Sequence, residues 1–156
     1  MNKLLTLLTA LTLFFSTAWA ESVTLTYKTL GLTESLTSNT EKTIDGITFV
    51  STGLKKYNTT IYARANTGTI FNSTAFSGYI SNVAITHSGT ARATTIWGSY
   101  DGNVWNEVAS GSGSFEADFS GKEYKYFKTI IVSELFTCFI LFIIHFIITP
   151  SFHTIY

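Results

Sequence analysis

The chain of 156 residues carries 10 Lys and Arg against 10 Asp and Glu, a formal net charge of zero, and is 46% hydrophobic. That length holds one ordinary domain with its own core and too little chain for two. The charges are spread without a basic stripe, which excludes nucleic acid as an expected partner. The single cysteine, Cys138, excludes a disulfide framework and a cysteine zinc site.

In chain order, residues 1–20 have the pattern of a secretion signal: a cation at Lys3, an apolar run over 4–15, then Ala18-Trp19-Ala20. Small residues at 18 and 20 suit a signal peptidase, and the run is short for a bilayer crossing. Cleavage after Ala20 is therefore expected, leaving a chain that starts at Glu21 and is exported, to be secreted or held at the cell surface.

Residues 21–128 are rich in Thr, Ser, Gly and aromatics and contain no proline, a composition that predicts an all-β domain. Residues 23–27 alternate apolar and polar and predict a first, half-buried strand. Residues 28–43 read as a loop or a short helix. The run 44–50 predicts a strand bent or bulged at Asp45-Gly46. Strands follow at 60–65, 69–71 and 79–87. Residues 94–108 predict a β-hairpin reversing at Asp101-Gly102, where an Asx side chain and a glycine suit a tight turn. Trp97 and Trp105, on its two sides, read as core, since tryptophan is highly buried on average. They share one parity while Val108 falls on the other, so a bulge or a doubly buried strand is expected. Strands at 115–119 and 124–127 complete a β-sandwich of the jelly-roll kind spanning 21–132.

Residues 130–149 form a hydrophobic segment followed by a short tail, 150–156. Three readings stay open. At ~1.5 Å per residue the segment is long enough to cross ~30 Å of hydrocarbon as a membrane helix. Glu134 and His145 inside it, and Lys122, Lys125 and Lys128 before it, run against that reading. The others are a core strand packed inside the domain, or the product of truncation or a frame shift near residue 128.

The stretch Gly98-Ser99-Tyr100-Asp101-Gly102-Asn103-Val104-Trp105, followed by Lys125-Tyr126-Phe127-Lys128, resembles the second half of discoidin-like domains. These are the coagulation-factor C-type and carbohydrate-binding modules of the galactose-binding-like superfamily. The resemblance covers about residues 96–127; the family's early asparagine- and tryptophan-containing segments have no counterpart before residue 60. It implies a jelly roll whose loops at one end hold sugars, phospholipids or proteins, and calcium enters only as a structural ion so implied. No other cofactor is expected, and the metal question stays open.

Sugar recognition needs an aromatic face for the apolar side of a ring, with amides or Arg for the hydroxyls. Tyr100 and Asn103 at the hairpin tip, Tyr57 and Asn58 in a polar loop, and Arg64 supply those groups. Catalysis has thin support. Glu107, Glu116 and Asp118 are the only acids that suggest a glycosidase pair, His87 has no nucleophile elbow near it, and no metalloprotease, P-loop or dinucleotide motif occurs. The expectation is a non-enzymatic binding module for carbohydrate or another cell-surface ligand, with a membrane partner only through 130–149. The alternative is a structural or adhesive surface protein that binds no small ligand. Asn58-Thr59-Thr60 and Asn72-Ser73-Thr74 match the glycosylation sequon.

Overall fold

The computed structural model describes residues 20–35, 39–63, 66–88, 93–133 and 139–147. Among them the chain forms twelve strands and no helix. In order these are β1 (Ala20–Leu25), β2 (Thr40–Ile44), β3 (Ile47–Thr52), β4 (Leu54–Tyr57), β5 (Thr60–Ala63) and β6 (Asn66–Asn72). Then come β7 (Tyr79–Ser88), β8 (Ala93–Ser99), β9 (Asn106–Ser112), β10 (Phe115–Asp118), β11 (Tyr126–Ser133) and β12 (Phe139–Ile147). They make two six-stranded sheets, one in the order β10-β7-β12-β5-β4 with β1 also paired to β12, the other β2-β3-β6-β11-β8-β9. All pairings are antiparallel. The molecule is the all-β, jelly-roll-type sandwich that the composition predicts.

The core between the sheets is aromatic as well as aliphatic. Phe49 lies 6.3 Å from both Phe76 and Phe127, ring centre to ring centre, and Leu25, Leu54, Ile61, Ile70, Ile85 and Ile96 are fully enclosed. Gly68 lets the sheets close: a Cβ there would stand 2.4 Å from Leu54 and 3.0 Å from Ala63 across the interface. In the polar stretch after β1, Leu30 and Leu32 are buried. Their amides are held by Thr26 O at 3.0 Å and Tyr27 O at 2.8 Å, which makes a turn where a loop or short helix is expected.

Two local expectations change and a third holds. Asp45-Gly46 is the two-residue turn of the β2–β3 hairpin: Ile44 faces Ile47 and both turn residues have positive φ, 50° and 79°, as a type I′ turn requires. Asp101-Gly102 instead lies in a six-residue connection between β8 and β9, where only the glycine has positive φ. The β8–β9 pair carries the expected bulge. Ile96 faces Ala109 while Trp97 faces Glu107, so Val108 is the extra residue and packs inward with Ala109.

The hydrophobic segment contributes strand residues to both sheets. Residues 130–133 end β11, and Phe139–Ile147 is β12, a strand between β7 and β1 with Ile144 fully buried. A strand flanked by two others has both rows of backbone groups bonded, and the β-branched and aromatic run of Phe139–Ile147 suits such a place. Through β12, residues 139–147 pair into the first sheet. Among the described residues no helix is long and apolar enough to cross a membrane. Of the expected secretion signal, residues 1–20, all but Ala20 lie outside the described residues, and Ala20 opens β1.

Candidate functional site

The connection from β8 to β9 holds itself together. The buried Ser99 hydroxyl accepts the Gly102 N–H at 2.9 Å and the Asp101 N–H at 3.3 Å. It also donates to Asp101 Oδ1 at 3.1 Å. That same carboxylate oxygen accepts the N–H groups of Asn103 at 2.9 Å and Val104 at 3.0 Å. These bonds, Asn103 first and Val104 next, hold the Asp101 carboxyl below the usual carboxylate range, because they favour its charged form. The Ser99-Tyr100-Asp101-Gly102-Asn103 stretch is thus a clasp that sets its neighbours outward. Asn103 is exposed, Val104 is largely exposed, and Tyr100 is 59% exposed with its ring centre 4.6 Å from that of Tyr124.

Gly98 explains how Tyr124 fits beneath. A Cβ at 98 would lie 2.2 Å from a Tyr124 ring carbon, so only glycine lets the ring sit between β8 and Phe119, 6.0 Å away. Beyond Phe119 is a cleft of about 330 Å³ with Tyr79, Ser81, Ser120 and Glu123 on its walls.

The two tryptophans are not core. Along β8, Ile96 and Gly98 are buried and Trp97 between them is half-buried, so Trp97 faces outward. Along β11, Phe127 and Thr129 are buried and Lys128 is half-buried. Lys128 faces Trp97 on one side and Phe71 on the other. Trp105, at the end of the β8–β9 connection, is half-buried too. The Lys128 Nζ sits 4.4 Å from the Trp105 ring centre and 5.8 Å from that of Trp97, and burial depresses its pKa. Tyr126, half-buried on the same side of β11, lies under Gly102, whose added Cβ would be 3.3 Å from the ring. The outer face of the second sheet therefore carries two indoles, a phenol and an ammonium beside the Tyr100–Asn103 tip.

The sequence candidates do not form one site. Tyr57, 41% exposed, ends β4 at the edge of the first sheet and packs on Tyr62 at 5.9 Å. Asn58, exposed and at positive φ, turns the chain into β5. That edge is across the sheet from β10, beside which Phe119, Tyr124 and Tyr100 stack, so the two tyrosine loops flank opposite sides. Arg64 lies outside the described residues, as does the His87 side chain. Of the acids, Glu116 accepts the Asn82 amide at 3.2 Å. The Asp118 carboxyl is held low by Ser120, hydroxyl first and backbone N–H next. Glu107 stands on β9 of the other sheet. Asn72 of the second sequon is 1% exposed with its amide fully bonded, while Asn58 of the first is open to solvent.

What the sequence reading missed is the Trp97–Lys128–Trp105 face. The usable signal was Lys128 between the apolar Phe127 and Thr129-Ile130, an outward residue by strand alternation.

No family model matches the chain, and no curated protein matches it. Solved structures to which the chain is distantly similar include carbohydrate-binding modules. A pectin-binding module shares 16% identity at a TM-score of 0.34, over 60% of this chain and 74% of that one. A family 29 carbohydrate-binding module shares 10% at 0.36, over 83% and 90%. A variant of a family 29 module, solved with cellulohexaose, shares 10% at 0.32, over 81% and 92%.

Proposed function

We propose that this protein is an exported, non-catalytic module that binds polysaccharide on the outer face of its second sheet, next to the Tyr100–Asn103 tip. The observation that carries the reading is the position of Trp97 and Trp105. Two indoles only partly buried on one sheet face, with Tyr126 beside them, forgo burial that a core tryptophan would have. Grouped aromatic surface that stays partly open to solvent on one face supports a binding role. Indole faces accept the C–H side of a sugar ring, and Asn103 at the rim offers donors and an acceptor for hydroxyls. The discoidin-like resemblance supports the same class of ligand, with its motif residues acting mainly as the clasp that displays the tip.

The test uses an accident of composition. The chain has three tryptophans, and loss of the signal with Trp19 leaves only Trp97 and Trp105. Tryptophan emission then reports on this face alone. Titration of the purified protein with soluble glucans, mannans and uronate polymers is expected to shift or quench that emission saturably. Saturable binding that survives Trp105→Ala unchanged would sink this placement. Concentration-dependent self-association with no response to any polymer would favour the adhesive alternative.

A further inference from the structure

Lys128 is placed as a ligand group. Its ammonium has three N–H donors, and among the described residues none of them is bonded to an acceptor or paired with a carboxylate. Its cross-strand neighbours are Phe71 and Trp97, neither of which accepts a hydrogen bond from it. The nearest acid by register is Glu107, opposite Trp97. It is two strands away, ~10 Å at the usual strand spacing, where solvent and salt screen most of the attraction. Glu41 closes the other end of the same row, facing Val50, three strands from Lys128. Lys56 makes the contrast: its amine also lies over a ring, Tyr27 at 5.6 Å, but it has Glu34 at 3.5 Å.

We infer that this face prefers polysaccharides bearing an anionic group on the sugar, a uronate carboxylate or a sulfate ester, bound by Lys128 Nζ while the ring rests against Trp105. The inference rests on the polysaccharide-binding reading above and deepens it. Indoles alone cannot choose between neutral and acidic sugars. A half-buried, unpaired ammonium between them can, because an incoming anion satisfies donors that a neutral sugar leaves to water, and does so in a partly desolvated place where charge attraction is stronger. The chain as a whole has no net charge, so a general field does not draw polyanions to it. Any preference must be local.

The experiment is tryptophan-emission titration of the purified protein with alginate, the same alginate with its carboxyls esterified, dextran sulfate and dextran. Each is run at low and at raised salt, on wild type, Lys128→Met and Lys128→Gln. The methionine keeps an apolar stem against the indoles. The expected result is at least tenfold tighter binding of one acidic polymer than of its neutral counterpart, a preference reduced by salt and abolished in both variants. The better of alginate and dextran sulfate identifies carboxylate or sulfate. Equal binding of acidic and neutral polymers by the wild type, which needs no variant to fold, overturns the inference and leaves the polysaccharide reading standing. A preference that persists in both variants also overturns it. No emission change with any polymer overturns both.

Discussion

Asn72 Oδ1 accepts the backbone N–H of Phe127 at 2.8 Å across 55 residues of sequence. The same side chain donates to Thr74 O at 2.8 Å and Lys125 O at 3.0 Å. One buried amide thereby ties the end of β6, the turn after it and the start of β11, the strand that carries Tyr126 and Lys128. Asn72→Ala leaves a buried N–H and two carbonyls without these partners, and a loss of about 2–4 kcal/mol is expected from one such network. Urea unfolding should show it as a lowered midpoint with an unchanged slope. In a glycosylating host, Asn58 and not Asn72 should carry the glycan, as mass spectrometry of the Asn58→Gln variant would show.

Two glycine replacements separate space from backbone conformation. Gly98→Ala drives a methyl into the Tyr124 ring, itself held between Tyr100 and Phe119, so overpacking of about 1–3 kcal/mol is expected. Tyr100 should move with it. Gly46→Ala meets no atom within 4 Å but must adopt φ near 79°, at a cost of about 1–2 kcal/mol. Thermal melts should rank both below wild type, and only Gly98→Ala should alter ligand titration.

Binding should separate the two tyrosine loops. Trp105→Ala truncates an aromatic anchor at the centre of the proposed face and is expected to weaken polysaccharide binding by at least tenfold, about 1.4 kcal/mol. Tyr57→Ala, at the far edge of the other sheet, should leave affinity unchanged. Isothermal calorimetry on both variants checks it, and a weakened Tyr57→Ala would move the site.

The clasp should respond to acid in a defined direction. Asp101 has a folded pKa depressed by the Asn103 and Val104 N–H groups. Its contribution is therefore complete above the ordinary aspartate value of about 3.9 and lost as pH falls through the lower folded value. The amide resonances of Asn103 and Val104 should titrate together, with one midpoint below about 3.9. In Asp101→Asn that shared titration should disappear.

The sequence made the all-β class and the β8–β9 hairpin legible, because turn chemistry and β-branched or aromatic runs are local signals. It misled wherever a neighbour decides the outcome. Asp-Gly looks alike at 45 and 101, yet one makes a two-residue hairpin and the other sits in a clasp, since the partner strands set where reversal occurs. Lys55-Lys56-Tyr57 looked like loop because an edge strand takes lysines on its open side. Trp97 looked like core because tryptophan is highly buried on average, and alternation alone does not say which face meets the other sheet. Of the proposed site, Tyr100 and Asn103 were visible at the tip. Lys128 stood in the sequence only as one of three lysines that run against a membrane helix, and its place on the face follows from the pairing of β11 with β6 and β8.

That pairing also dictates an order of events. Ala20 lies opposite Ile147, so the first sheet cannot close until segments from the two ends of the described chain have met, and such long-range closure makes folding slow. Until then Phe139–Ile147, uncharged apart from what His145 can acquire and without proline, is the kind of segment that pairs with copies of itself. A chain that travels unfolded before it folds therefore carries its strongest aggregation risk in the strand its first sheet needs for closure. Yield should depend on how well that strand is shielded in transit more than on the stability of the finished sandwich.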